Sequence, residues 1–204
     1  KLLEKGTGCA IKSSTGTLSY DHLRSTILKI GEQLASMNVK SGDCVGIVTP
    51  NGPEAATIFI SVASFATAAP LNPNYTKNEF KFYLQDLNSK ILIVAEHENL
   101  AAVTAAHELN IKVLKIQSLK SPGDIILTHE SCIVETSTAI FNKADDVSLV
   151  LHTSGTTSRP KIVPLSADNI SVSARNIART LRLHDQDCYL NIMPLFHIHG
   201  LIAG

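Results

Sequence analysis

Short unbroken apolar runs alternate with helical stripes along most of this chain, and that alternation is the strongest restriction on its fold. Residues 44–49 (C-V-G-I-V-T) and 90–95 (K-I-L-I-V-A) show too little polar alternation for a strand with one wet face. They read as strands buried on both faces. Between such runs, Leu23, Ile27, Ile30 and Leu34 form one helical stripe over residues 21–37, with Ser19 as candidate N-cap and Asn38 closing the end. Thr76 and Glu79 have capping-box spacing at the start of a helix that runs to Leu87. Residues 99–109 read as helix and 111–116 as strand. The longest apolar stretch, 55–69, is predicted as a buried helix, with Pro53 and Glu54 in its first turn and Pro70 ending it. It falls short of the roughly 20 residues that span a bilayer. Strand, helix, strand, helix at this spacing predicts an α/β fold, a parallel sheet with helices on its faces.

Residues 121–146 are less regular. They open with a turn signal, Pro122-Gly123, then carry a short strand candidate at 124–127 and polar linker. The pattern resumes at Ser148 with a strand to His152, a polar loop to Pro160 and an apolar segment from Lys161 to Leu165. Asp168 is the candidate cap of a helix to about Leu183, and 188–193 reads as strand.

Charge narrows the partners. Lys plus Arg number 18, matched by 18 Asp plus Glu, so the chain has no electrostatic footprint for nucleic acid or an anionic bilayer. Any anion it binds must be held by local geometry. Cys9, Cys44, Cys132 and Cys188 form no C-x-x-C pair and are expected to be small buried hydrophobes in a reducing compartment. The first residues are too short and charged for a signal peptide. The expected location is the cytoplasm; the alternative, a peroxisome, would depend on a C-terminal tripeptide outside this window. The start at Lys1 and the apolar end at Gly204 give the expectation of a piece of a longer protein, with unpaired strand edges and poor solubility by itself.

The chemistry concentrates in Leu151-His152-Thr153-Ser154-Gly155-Thr156-Thr157-Ser158-Arg159-Pro160-Lys161. Hydroxyl groups and bare backbone N–H groups provide the several donors an oligophosphate needs. Gly155 permits close backbone approach, Lys161 adds a mobile positive charge, and Arg159 is a second candidate cation. An open α/β sheet places ligands beyond the carboxyl ends of its strands, where this loop would lie. The pattern is not the Walker phosphate loop, because Pro160 precedes the lysine and Ile162 follows it.

The ordered string T-S-G-T-T-S-R-P-K resembles the nucleotide-loop signature of the adenylate-forming acyl-CoA synthetase superfamily, the AMP-dependent synthetases and ligases. Two more blocks are similar to that family: Met193-Pro194-Leu195-Phe196-His197-Ile198-His199-Gly200, and residues 66–76. The strings P-L-F-H-I-H-G-L-I-A-G and F-Y-L-Q-D are most similar to the oxalate–CoA ligase branch, beside 4-coumarate–CoA ligase-like proteins. The resemblance implies a three-layer αβα, partly parallel sheet of the synthetase N-terminal domain, truncated. Residues 1–146 would form a first α/β subdomain. Residues 147–204 would hold the phosphate-loop segment and the incomplete start of a second, with the C-terminal lobe absent. It implies ATP-dependent activation of a small carboxylic acid, with oxalate as the candidate, as an acyl-adenylate. Transfer to coenzyme A follows, with Mg²⁺ sharing the phosphate charge.

By the same resemblance, Thr153, Ser154, Gly155, Thr156, Thr157, Ser158 and Lys161 would bind the nucleotide. Lys161 and His197 would be the catalytic pair, and His197 and His199 would line the acid's pocket. Two histidines are too few to hold a metal by themselves, and none is expected. One departure bears on the site. The family places Gly after the loop lysine, where this chain has β-branched Ile162. If that Gly holds an unusual conformation, Ile162 would displace Lys161, and a non-catalytic paralogue or fragment with weak nucleotide binding becomes the alternative. A piece lacking the later lobe is expected to be inactive in isolation.

Overall fold

The structure is a computed structural model and describes residues 6–97, 99–153 and 160–203. Its centre is an eight-stranded sheet of β3 (Cys44–Val48), β4 (Thr67–Pro70), β5 (Ile91–Val94), β6 (Lys112–Ser118), β7 (Ile125–His129), β8 (Cys132–Ile133), β9 (Val147–Thr153) and β10 (Lys161–Ser166). The spatial order is β10-β9-β4-β3-β5-β6-β7-β8. The five middle strands, β9 to β6, run parallel, while β10, β7 and β8 join antiparallel. A separate hairpin of β1 (Cys9–Ser13) and β2 (Gly16–Ser19) precedes the first helix.

Both faces of the sheet are covered, which is why the central strands read as continuous apolar runs. Val45, Ile47, Ile91, Ile93 and Leu149 point into one layer with Ile30 and Leu34 of α1 (Tyr20–Ser36) and Ile58 and Val62 of α2 (Pro53–Phe65). Their neighbours Val48, Leu92, Val94 and Val150 point into the other. There they meet Phe80 and Leu84 of α3 (Lys77–Asp86) and the alanines of α4 (Leu100–Glu108). Each such fully buried aliphatic side chain contributes about 1.5–3 kcal/mol. Gly31 lets α1 and α2 touch, since a Cβ there would stand 2.4 Å from the Phe65 ring. The expected three-layer αβα architecture is therefore present, with a mixed rather than purely parallel sheet.

Local signals end the helices as expected. Ser19 Oγ accepts from His22 N, and Thr76 and Glu79 form a reciprocal capping box. Asn38, Asn88 and Asn110 take left-handed backbone just past α1, α3 and α4, a conformation asparagine tolerates better than most residues.

Four expectations need correction. The apolar stretch 55–69 is not one helix. α2 stops at Phe65, Ala66 turns extended, and Thr67–Pro70 becomes β4, wedged between β3 and β9. Thr67 Oγ1 donates to Val147 O at 2.7 Å, so tertiary pairing captures residues whose periodicity suits a helix. The strand candidate at 124–127 is present as β7, a buried member of the sheet. The fully buried Gln33 of α1 holds it, donating from Nε2 to Leu127 O and Val134 O and accepting from Leu127 N, each at 2.9 Å. The helix α5 (Ala167–Leu181) is capped by Ser166 with Asn169, not by Asp168, which lies in its first turn. Residues 188–193 form no strand; Leu190 and Ile192 are 79% and 78% exposed. Of the cysteines, all free, Cys9, Cys132 and Cys188 are exposed and only Cys44 is largely buried. No helix among the described residues is long and apolar enough to cross a membrane.

Candidate functional site

The stems of the hydroxyl-rich loop are the ends of β9 and β10. Antiparallel pairing sets Thr153 opposite Lys161 as the outermost rung and His152 opposite Ile162 as the next. Paired Cα atoms in such rungs lie about 4.5–5.5 Å apart, so Thr153 and Lys161 stand side by side. Thr153 and Lys161 are exposed, and Thr153 Oγ1 lies 3.5 Å from Lys161 O. Ser154, Gly155, Thr156, Thr157, Ser158 and Arg159 lie outside the described residues. Ile162 sits in regular β10 opposite His152 and is absent from the residues with positive φ. The strain argued for a side chain at this position therefore has no basis in its backbone.

Sheet topology puts this stem and the His197 segment at one edge. β9, β4 and β3 are parallel, with Leu149 level with Ala68 and Ala68 level with Val45. Three residues on, His152 is level with Val48, two strand spacings or about 10 Å away. Just past β3 stands Asn51, whose side chain grips the segment before His197. Asn51 Nδ2 donates to Met193 O at 3.1 Å, and Asn51 Oδ1 accepts from Leu195 N at 2.8 Å. Sequence reasoning missed Asn51; its only signal was an Asn in the turn T-P-N-G-P directly after a strand.

The 193–203 segment is folded tightly. His197 N donates to Pro194 O at 3.1 Å, and a π-helical turn follows over His199–Ala203. Gly200 is buried, and a Cβ there would lie 2.2 Å from Pro194 O, so no side chain fits without moving that backbone. Asn191 Nδ2 donates to Gly200 O at 3.0 Å. Ile198, Leu201 and Ile202 pack toward the α1/α2 layer beside Leu165 and Ile170. His197 and His199 are both exposed on either side of inward Ile198, with ring centroids 6.3 Å apart. Among the described residues no three His, Cys, Asp or Glu side chains converge as a metal site.

Clefts open at both ends of the parallel strands, and a pair of them bears on the site. The larger, about 370 Å³, runs along β9 and β10 beside Asp86 and opens at the amino-terminal ends of β3 and β4. The smaller, about 250 Å³, opens at the carboxyl ends of β3, β5 and β6 and includes Asn51, Glu54 and His97. Ligands of open α/β sheets bind at carboxyl ends, so the smaller cleft shares the edge of the loop stem and the larger does not. His152 turns inward rather than toward the loop: its Nε2 donates to Asp86 Oδ2 at 3.1 Å.

Comparison with known proteins agrees with the fold. The chain is 40% identical over 191 residues to an oxalate–CoA ligase of Arabidopsis thaliana, covering 92% of the chain and 37% of that protein. It is 36% identical over 185 residues to an oxalate–CoA ligase of Saccharomyces cerevisiae, covering 79% and 34%. The chain thus spans a little over a third of the length of these relatives. Among solved structures, O-succinylbenzoate coenzyme A synthetase from Bacillus subtilis in complex with AMP superposes with a TM-score of 0.79 at 25% identity, covering 97% of this chain and 49% of that one. ATP-bound MatB from Rhodopseudomonas palustris shares the fold, with a TM-score of 0.81 at 24% identity over 98% of this chain and 40% of that one. The model of the AMP-binding enzyme family matches residues 5–204. The chain belongs to the AMP-binding enzyme family.

Proposed function

We propose that this chain provides the phosphate-gripping part of an ATP-dependent acid–thiol ligase that forms AMP. The carrying observation is the Thr153–Lys161 rung, which closes the hydroxyl-rich loop at the carboxyl edge of a parallel sheet, beside the Asn51-held His197 segment. A carboxylate oxygen of the acid attacks the α-phosphorus of ATP, the α–β phosphoanhydride bond breaks, and pyrophosphate leaves with the electron pair. The Lys161 ammonium and the hydroxyls of Thr153, Ser154, Thr156, Thr157 and Ser158 grip the β- and γ-phosphates, with Gly155 allowing close approach. They stabilise charge that grows on the leaving group, so positioning and electrostatics replace a protein nucleophile.

His197, exposed at the same edge, orients the incoming carboxylate, and His199 shapes the pocket beside it. The thiol of coenzyme A then attacks the acyl carbon and expels AMP. Hydroxyl and ammonium donors suit a triphosphate that arrives with Mg²⁺ on its own oxygens; that ion would neutralise part of the phosphate charge. The oxalate–CoA ligases among the relatives support oxalate as the acid. The reading keeps the cytoplasm as the site of action, with a peroxisome as the alternative.

ATP–pyrophosphate exchange by the whole protein tests this, with oxalate compared against a hydroxycinnamate and a fatty acid. Oxalate is expected to support exchange best, and Lys161→Ala to lower ATP affinity about 10–100-fold, the worth of one charge-assisted contact. Absence of exchange with every carboxylate ends the claim.

A further inference from the structure

The loop's outermost rung joins β9 to β10. Among the described residues β10 pairs with β9 alone, and its Ile162 and Val163 are 42% and 36% exposed. What holds the next rung is His152. Its side chain is only 7% exposed and is gripped by α3 from two directions. Asp86 Oδ2 accepts from His152 Nε2 at 3.1 Å, and the Tyr83 ring meets the imidazole at 4.6 Å, edge to face. Tyr75 stacks on Tyr83 at 4.7 Å and meets Phe80 at 5.8 Å. Phe80 and Leu84 are fully buried, so α3 is a rigid mount.

Asp86 is the last residue of α3. A carboxylate is disfavoured at a helix carboxyl end by the dipole, and a donor imidazole offsets that cost. The string F-Y-L-Q-D therefore contributes both partners of His152, namely Tyr83 and Asp86.

We propose that His152 and Asp86 are positioning residues for the nucleotide: their hydrogen bond clasps the stem to α3 and thereby fixes where Lys161 and Thr153 stand. Neither need touch the phosphates. His152 neighbours Thr153 on β9 and faces Ile162, the neighbour of Lys161, so one side chain restrains both strands of the stem. This rests on the reading of the loop as a triphosphate grip.

The test uses the whole protein, with ATP titrated calorimetrically and backbone amide exchange read at residues 151–153 and 161–163. His152→Ala and Asp86→Ala are each expected to weaken ATP binding about tenfold, the worth of one buried hydrogen bond to a charged group. Stem amides should exchange faster, and the double variant should be no worse than either single one. Asp86→Asn keeps an acceptor and is expected to recover most of the affinity. Should His152→Ala fail to fold, His152→Gln and Asp86→Ala carry the same comparison. Variants that lose melting temperature yet bind ATP like wild type overturn the clasp and leave the loop reading standing. A wild-type protein without affinity for ATP sinks the loop reading, and the clasp's role with it.

Discussion

Residues 90–95 and 188–193 are both short apolar runs, and they end in opposite environments. In the first, Ile91, Leu92, Ile93 and Val94 are at most 1% exposed in β5, between β3 and β6. In the second, Tyr189, Leu190 and Ile192 lie largely in solvent, and no described strand pairs with them. The contrast extends to the helices. α1 to α4 each bury a face, whereas α5 has no fully buried residue. Apolar character makes a strand only where a neighbouring strand can satisfy its backbone groups.

The largest expected effect is on stability. Phe80→Ala in α3 should cost about 3–5 kcal/mol, while Ile192→Ala should stay within about 0.5 kcal/mol, both read from urea unfolding of residues 1–204. Equal losses would break the contrast. Gln33→Ala should cost upward of about 2 kcal/mol, since Leu127 N and Val134 O lose their Gln33 partner while Leu127 O keeps its bond from Val134 N. In the outer region, Asn51→Ala removes two hydrogen bonds of about 1 kcal/mol each. It should speed amide exchange near Leu195 and hardly move the global midpoint; a fall comparable to that of Gln33→Ala would show that segment to be core.

The smallest effect is chemical. Burial pushes the Cys44 thiol up to about 12, so a thiol reagent near pH 8 should label Cys9, Cys132 and Cys188 and spare Cys44. The unfolded thiol ionises near 9, so Cys44's contribution to stability is complete below that pH. It fades as pH rises toward about 12. Labelling of Cys44 at the rate of the others would show that β3 is open at its start.

Much of the site was legible because it is local. A hydroxyl-rich loop between a buried strand and a lysine, a T-x-x-E cap and an Asn after α1, α3 and α4 are all written within a few residues. The partners that hold the loop stem and the His197 segment were not legible. Asp86 and His152 are 66 residues apart, and Asn51 is 142 from Met193. No periodicity links such pairs.

From the order of residues alone came the α/β alternation, most helix ends and the choice of the hydroxyl-rich loop as the candidate site, since each depends on neighbours in the chain. Tertiary structure decided that Thr67–Pro70 is a strand, that β7 and β10 run antiparallel, and that His152 faces α3 rather than the loop. The physical reason is shared by all three. A backbone or imidazole group takes the partner that the packed sheet brings within hydrogen-bonding distance, and which partner arrives depends on strand order in space.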